Sequence, residues 1–289
     1  VPSGTITGLA ATADQVVYSS SDGEIGRVSI AGGSAVSLVV EPGVRFSGLA
    51  VGGGRAFWFS WPQGDFYECL FSSPGNLSAI RAVPIDGGEA TVIDQSTACL
   101  EALAADDAFL FSNGLGYDGM GYVRELRRVD LAAASPTEVW LLPGDEFLSG
   151  PTPQPLAIDD TSVFWLADRV LYTGPRSFQG TATVLAPSAE GPLVVDATDI
   201  FFLQGNSIRR TPKTGGRILQ VATASTGVLA ADADSLFWSS NGAVVRAGKD
   251  GSDAAVLLQA AQASHLVVSG ARLFYASNNA IYKLVLPAL

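Results

Sequence analysis

Seven times along the chain a run of small apolar residues opens on a leucine, and a large aromatic follows eight or nine residues later. The leucines are Leu9, Leu49, Leu103, Leu156, Leu193, Leu229 and Leu266, and the aromatics Tyr18, Trp58, Phe111, Trp165, Phe202, Trp238 and Tyr275. A recurrence phased in this way marks a repeat architecture, in which each unit covers against its neighbours the faces it cannot bury alone. The leucines stand 40, 54, 53, 37, 36 and 37 residues apart, so four units are minimal and two carry insertions. About 40 residues make room for four short strands, the size of a β-propeller blade. The expected fold is therefore all-β: a single seven-bladed β-propeller of four-stranded antiparallel blades over residues 1–289.

The sixth unit reads most plainly. Strands are expected at 228–231, 235–239, 243–247 and 255–259, with Asn241-Gly242 between the second and third, since this dipeptide tolerates the positive φ of a tight hairpin. Gly32-Gly33, Asp86-Gly87-Gly88 and Gly215-Gly216 mark corresponding turns. The aromatics are expected in the core, where large rings fill the widening gap between blades. An Ala-rich patch at 132–134 reads as a connection between strands. The last unit ends after its third strand, at 280–286, and residues 1–7 are too few for a full outer strand plus a connection. Either they form a short closing strand or the last blade has three strands.

Charged residues make up 16% of the chain, below the roughly 25% usual for globular domains. The net charge of −11 argues against nucleic acid and anionic membranes as partners, because both select clustered Lys and Arg. No run of about 18 apolar residues exists to span a bilayer as a helix. The first residues lack the basic and apolar regions of a signal peptide, so an exported protein would be represented here by its mature form.

Propeller function is placed by loops. The connections from second to third strand, and from fourth strand to the next blade, emerge at one end, the top. The long stretches 61–79, 113–122 and 143–154 all load that end over blades two and three, and long loops on rigid scaffolds are where binding residues gather. Trp61, Tyr67 and Tyr117 offer flat faces interleaved with carboxylates, suited to a small molecule, glycan or peptide, or to a protein partner. Arg45, entering the second blade, is placed to pair with an anionic group. Cys69 and Cys99 both belong above the second blade. A disulfide between them would contribute on the order of 3 kcal/mol and would indicate an oxidising compartment, extracellular or periplasmic.

Catalytic patterns are sparse. His265 is the sole histidine, which excludes His-clustered zinc sites, and no metal site or cofactor is indicated. The formal Gly-x-Gly-x-x-Gly at Gly114, Gly116 and Gly119 has no helix after it to hold a phosphate and reads as a flexible loop. His265 stands just before an inner strand, at the rim of the central channel, where an imidazole can serve as base or ligand; Glu101 precedes the equivalent position.

The aromatic-ended strand, polar turn and following strand, as in Phe237-Trp238-Ser239-Ser240-Asn241 and Ile208 to Thr211, resemble the bacterial propellers of YWTD and TolB-like repeats. That resemblance covers the whole chain and implies an exported binding or scaffold module, including a lipoprotein-anchored one. A fold-level similarity to streptogramin-type lyases, matched here only by His265, implies the alternative: a lyase or hydrolase at the channel mouth, with His265 and Glu101 as catalytic residues. The reading favoured by the residues is an exported ligand- or protein-binding propeller that uses its top-face loops.

Overall fold

The computed structural model describes residues 4–44, 46–60, 78–96, 98–117, 122–133, 137–142, 155–224, 227–259, 262–277 and 279–286. Blade one holds β1 (Ile6–Ala11), β2 (Gln15–Ser20), β3 (Glu24–Ser29) and β4 (Val36–Val40); blade two holds β5 (Phe46–Gly52), β6 (Arg55–Ser60), β7 (Ser78–Pro84) and β8 (Thr91–Ser96). Blade three holds β9 (Cys99–Ala105), β10 (Phe109–Tyr117), β11 (Tyr122–Asp130) and β12 (Glu138–Leu142). Blade four holds β13 (Leu156–Ile158), β14 (Ser162–Ala167), β15 (Val170–Pro175) and β16 (Thr183–Ala186). Blade five holds β17 (Glu190–Val195), β18 (Asp199–Leu203), β19 (Ser207–Pro212) and β20 (Leu219–Thr223); blade six holds β21 (Leu229–Ala231), β22 (Ser235–Ser240), β23 (Ala243–Gly248) and β24 (Ala255–Leu258). Blade seven holds β25 (His265–Ser269), β26 (Arg272–Ser277) and β27 (Ala280–Val285).

Every sheet is an antiparallel meander in chain order, and the seventh has three strands among the described residues. The chain is a seven-bladed β-propeller. Its blades gather into two compact units, Val1–Leu156 with blades one to three and Ala157–Leu289 with blades four to seven. Among the described residues no helix is long and apolar enough to cross a membrane.

The paired apolar-aromatic residues of each second strand follow from strand geometry. Successive side chains on a strand point to opposite faces. Trp58 packs with Val17 and Ile25 of blade one, while its neighbour Phe57 packs with Leu100, Leu103 and Leu110 of blade three. Phe202 likewise meets blade four, and Phe201 blade six. Each strand thus fills two inter-blade cores at once, at about 1.5–3 kcal/mol for each large side chain fully buried. Six of the seven anchor aromatics are buried. The exception is Tyr275 in the three-stranded blade, half-buried and stacked on Tyr282 at 5.0 Å.

A second recurrence lies in the outer strands. Where β4, β8, β16, β20 and β24 pair with their third strands, the register slips at the same place. Two residues then face one, a β-bulge. The extra residue is Leu38, Ile93, Leu185, Val221 or Leu257, and each packs into an inter-blade core. The bulge turns inward a side chain that strict alternation would send outward.

The sixth blade matches its expected strands to within a residue, and Asn241 and Gly242 take φ of 51° and 74° in the turn. The patch at 132–134 is a bend as far as it is described, closed by Asp130 Oδ1 accepting from the N–H groups of Ala132 and Ala133 at 2.9 and 3.1 Å.

Candidate functional site

The top of blade three is built on the longest hairpin strands among the described residues. β10 and β11 run nine residues each. They pair with each other up to Gly116–Val123 and Tyr117–Tyr122; among the described residues the pairs to the flanking strands run to Leu115–Cys99 and Arg124–Leu142. The stretch 113–117, expected as loop, is therefore strand, and Gly114 and Gly116 belong to it; Gly119 lies outside the described residues. The physical reason is close approach. A Cβ on Gly114 would stand 2.8 Å from the Cys99 carbonyl oxygen, so glycine is what lets β9 pair there.

Two ionic groups are buried beneath this hairpin. Glu101 is the extra residue in a bulge of β9, since Ala102 pairs with Asn113 and Leu100 with Gly114. A bulge re-aims its side chain. The Glu101 carboxylate spans β10 to accept from Arg124 Nη1 at 2.9 Å, and 1% of that side chain is exposed. In the second group Arg127 of β11 donates to Asp94 Oδ2 of β8 at 2.9 Å and to Glu125 Oε1 at 3.0 Å, and its Nη2 reaches the Gln95 carbonyl. Ser96 Oγ donates to the same Glu125 oxygen at 3.1 Å, and Thr137 Oγ1 to Asp94 at 2.7 Å. This group joins the outer strand of blade two to the third strand of blade three. Buried charges persist only when paired and hydrogen-bonded, so the two strands are held at a defined spacing under the long connections.

A third buried carboxylate, Glu24 in blade one, accepts from Tyr18 OH at 2.8 Å and from Ser37 Oγ. Burial, reinforced by that bond and the Glu24 charge, pushes the Tyr18 phenol well above its usual range. None of Glu24, Glu101 and Glu125 is presented to solvent. They act as acceptors within the scaffold.

The residues expected at the site fall as follows. Arg45, Trp61, Tyr67 and Cys69 lie outside the described residues, as does the stretch 143–154. Tyr117 ends β10, paired with Tyr122. Cys99 begins β9, buried, opposite Leu115. Glu101 is turned into blade three, away from the rim position considered for it. His265 is the first residue of β25, opposite Ala276, in the other unit from Glu101. Its Nδ1 stands 3.1 Å from Ser264 Oγ. No group of three or more metal-ligating side chains occurs among the described residues.

The sequence reading missed Asp94, Ser96, Arg124, Glu125 and Arg127. A signal for them exists: four charges at Arg124, Glu125, Arg127 and Arg128 crowd one strand of a chain poor in charge.

The fold has solved counterparts. The chain is similar to the β-propeller domain of Cps50 (Swd1) from Myceliophteria thermophila, at 11% identity and TM-score 0.68, covering 99% of this chain and 98% of that one. It is similar to PorZ, a bacterial surface component of the type-IX secretion system of Porphyromonas gingivalis, at 14% identity and TM-score 0.65; the likeness covers 98% of this chain but 37% of PorZ. BamB from Moraxella catarrhalis matches at 14% identity and TM-score 0.59, over 97% of this chain and 82% of that one. No protein-family model and no curated protein matches the sequence. At such identities the likeness is one of fold, and function has to come from the site.

Proposed function

We propose that the chain is a single propeller domain of an exported binding protein, of the YWTD or TolB-like kind, and that it grips a small ligand, glycan, peptide or protein with the top of blades two and three. The observation that carries this reading is the β10–β11 hairpin, nine residues on each strand, which carries Tyr117 at its end. The buried ion pairs below it supply the rigidity a contact surface needs. In this reading Trp61, Tyr67 and Tyr117 form the aromatic contacts, Arg45 meets an anionic group, and a Cys69–Cys99 bridge fastens the long connection. The presence of no free cysteine among the described residues supports the bridge, and the likeness to PorZ, a surface component, supports export. The acidic balance of the chain leaves nucleic acid aside.

A thermal-shift screen against glycans, peptides and small organic ions tests the reading, since a ligand at about 100 times its Kd adds about 2.7 kcal/mol. Trp61→Ala combined with Tyr117→Ala should abolish the shift while the unliganded melting temperature stays put. A shift that survives both substitutions overturns the placement. Mass spectrometry of the exported protein without reductant should find Cys69 joined to Cys99.

One contact favours a second reading, in which a lyase or hydrolase uses His265 as base: the imidazole lies beside the Ser264 hydroxyl at the start of β25. In that case His265→Ala removes turnover and leaves binding intact.

A further inference from the structure

A cavity of about 390 Å³ opens in the second unit between blades five and six. Its cations come from strands. Arg246 of β23 is buried, lies over the Phe237 ring at 5.7 Å and donates through Nε to Ser235 Oγ at 3.0 Å, so its guanidinium is held in place. Arg210 of β19 is half-buried, makes no side-chain hydrogen bond or ion pair among the described residues, and acts on Asp250 only through space. The carboxylates come from turns and are exposed. Asp250 is tied to Ser252 N–H at 2.9 Å, whereas the side chains of Asp234 and Asp253 accept no hydrogen bond among the described residues. Lys249, also on the wall, is committed to Asp196 at 2.7 Å.

The wall is thus cationic at depth and acidic at its rim. A simple anion has to pass three carboxylates to reach the guanidinium groups, and a simple cation is held at the rim with nothing below to match it. A molecule bearing both charges satisfies both levels with charge-assisted hydrogen bonds. We propose that this cavity binds a small zwitterion of amino-acid or dipeptide type, its carboxylate on Arg210 and Arg246 and its ammonium at Asp234 and Asp253. The volume lies within the range of small-ligand sites. The counterpart in the first unit, about 340 Å³, is lined mainly by Val92, Ile93, Val129 and Leu131; its Arg55 is committed to the Leu131 carbonyl at 3.0 Å and to the Phe57 ring, and its Asp130 accepts from the N–H groups of Ala132 and Ala133.

The proposal is independent of the loops of blades two and three. Titration with glycylglycine, followed by NMR on the whole chain, should move the amide signals of residues 248–253. Acetate alone and methylammonium alone should each bind at least about tenfold more weakly. Arg210→Gln should weaken the dipeptide by about tenfold or more, as should Asp234→Asn with Asp253→Asn, a pair of exposed positions at which folding is retained. The proposal is overturned if glycylglycine leaves those signals unmoved, if acetate binds as tightly as the dipeptide, or if the paired asparagine variant binds it unchanged.

Discussion

In blades two and three the residue that follows strand three is Ile85 or Leu131; in blades four, five and six it is Arg176, Lys213 or Lys249. The backbone does the same thing in both units: Leu131 N–H donates to the Ala108 carbonyl at 2.9 Å, and Lys213 N–H to the Thr198 carbonyl at 3.0 Å. The side chains differ. In the first unit Ile85 and Leu131 pack into inter-blade cores, and Gly52 comes so close to blade three that a Cβ would stand 2.2 Å from the Asp106 carbonyl oxygen. In the second, Lys213 reaches back one blade to Asp159 at 2.6 Å, and Lys249 to Asp196 at 2.7 Å. Each aspartate also accepts from two N–H groups of its own turn, at 2.7 to 2.8 Å. A joint between blades can thus be closed by apolar contact or by a fixed charge pair, provided the hydrogen-bonded frame is kept. The first unit places its buried ions under the long hairpin of blade three; in the second, Arg169 and Glu190 form an exposed pair.

The contrast is most directly broken by Arg127→Ala. It leaves Asp94 and Glu125 buried without their cation and should cost about 3–5 kcal/mol, read by urea denaturation; a loss under about 1 kcal/mol would mean that the pairs contribute little rigidity. The apolar cores, by contrast, should make the units alike: Phe57→Ala and Phe201→Ala should each cost about 3–5 kcal/mol. Lys213→Met and Lys249→Met should cost less, about 1–2 kcal/mol each, because these pairs are only partly buried.

Acid sharpens the comparison further. At Asp159, burial works against the charge but is outweighed by Lys213, the N–H groups of Thr161 and Ser162 and the Thr161 hydroxyl, so the carboxyl is held below its usual range. Asp196 is held low in the same way, with burial outweighed by Lys249 and the N–H groups of Asp199 and Thr198. A carboxyl whose pKa is lowered by folding stabilises the fold fully above its unfolded value of about 3.9, and that contribution is lost as pH falls through the lowered value. Hydrogen exchange below about pH 4 should therefore show protection in blades four to six falling further than it does with Asp159→Asn and Asp196→Asn in place. The smallest effects belong to the outer strands, where Val92→Thr and Val256→Thr, both exposed, should stay within about 0.5 kcal/mol in either unit.

The blade count and the buried aromatics were legible because they rest on local periodicity. Trp58 and Phe57 declare a strand covered on both faces whatever their neighbours turn out to be. The bulged Leu38, Ile93, Leu185, Val221 and Leu257 were less legible, since a slip of one residue breaks the alternation by which inward positions are read. Gly114 and Gly116 read as loop because glycine weakens a strand pattern; pairing with β9 and β11 overrides that preference. Glu101 read as a rim residue from its place in the repeat, and the bulge that turns it toward Arg124 has no local mark. Of the candidate contact residues, Tyr117 is described and ends β10.

Repetition along the chain sufficed to specify seven sheets, their turns and the aromatic layer between them, because each of these depends on residues a few positions apart. Which charges meet was settled only when the blades came together. Lys213 finds Asp159, and Arg127 finds Asp94, across 54 and 33 residues, and contacts at that separation depend on bulge, register and blade spacing acting together.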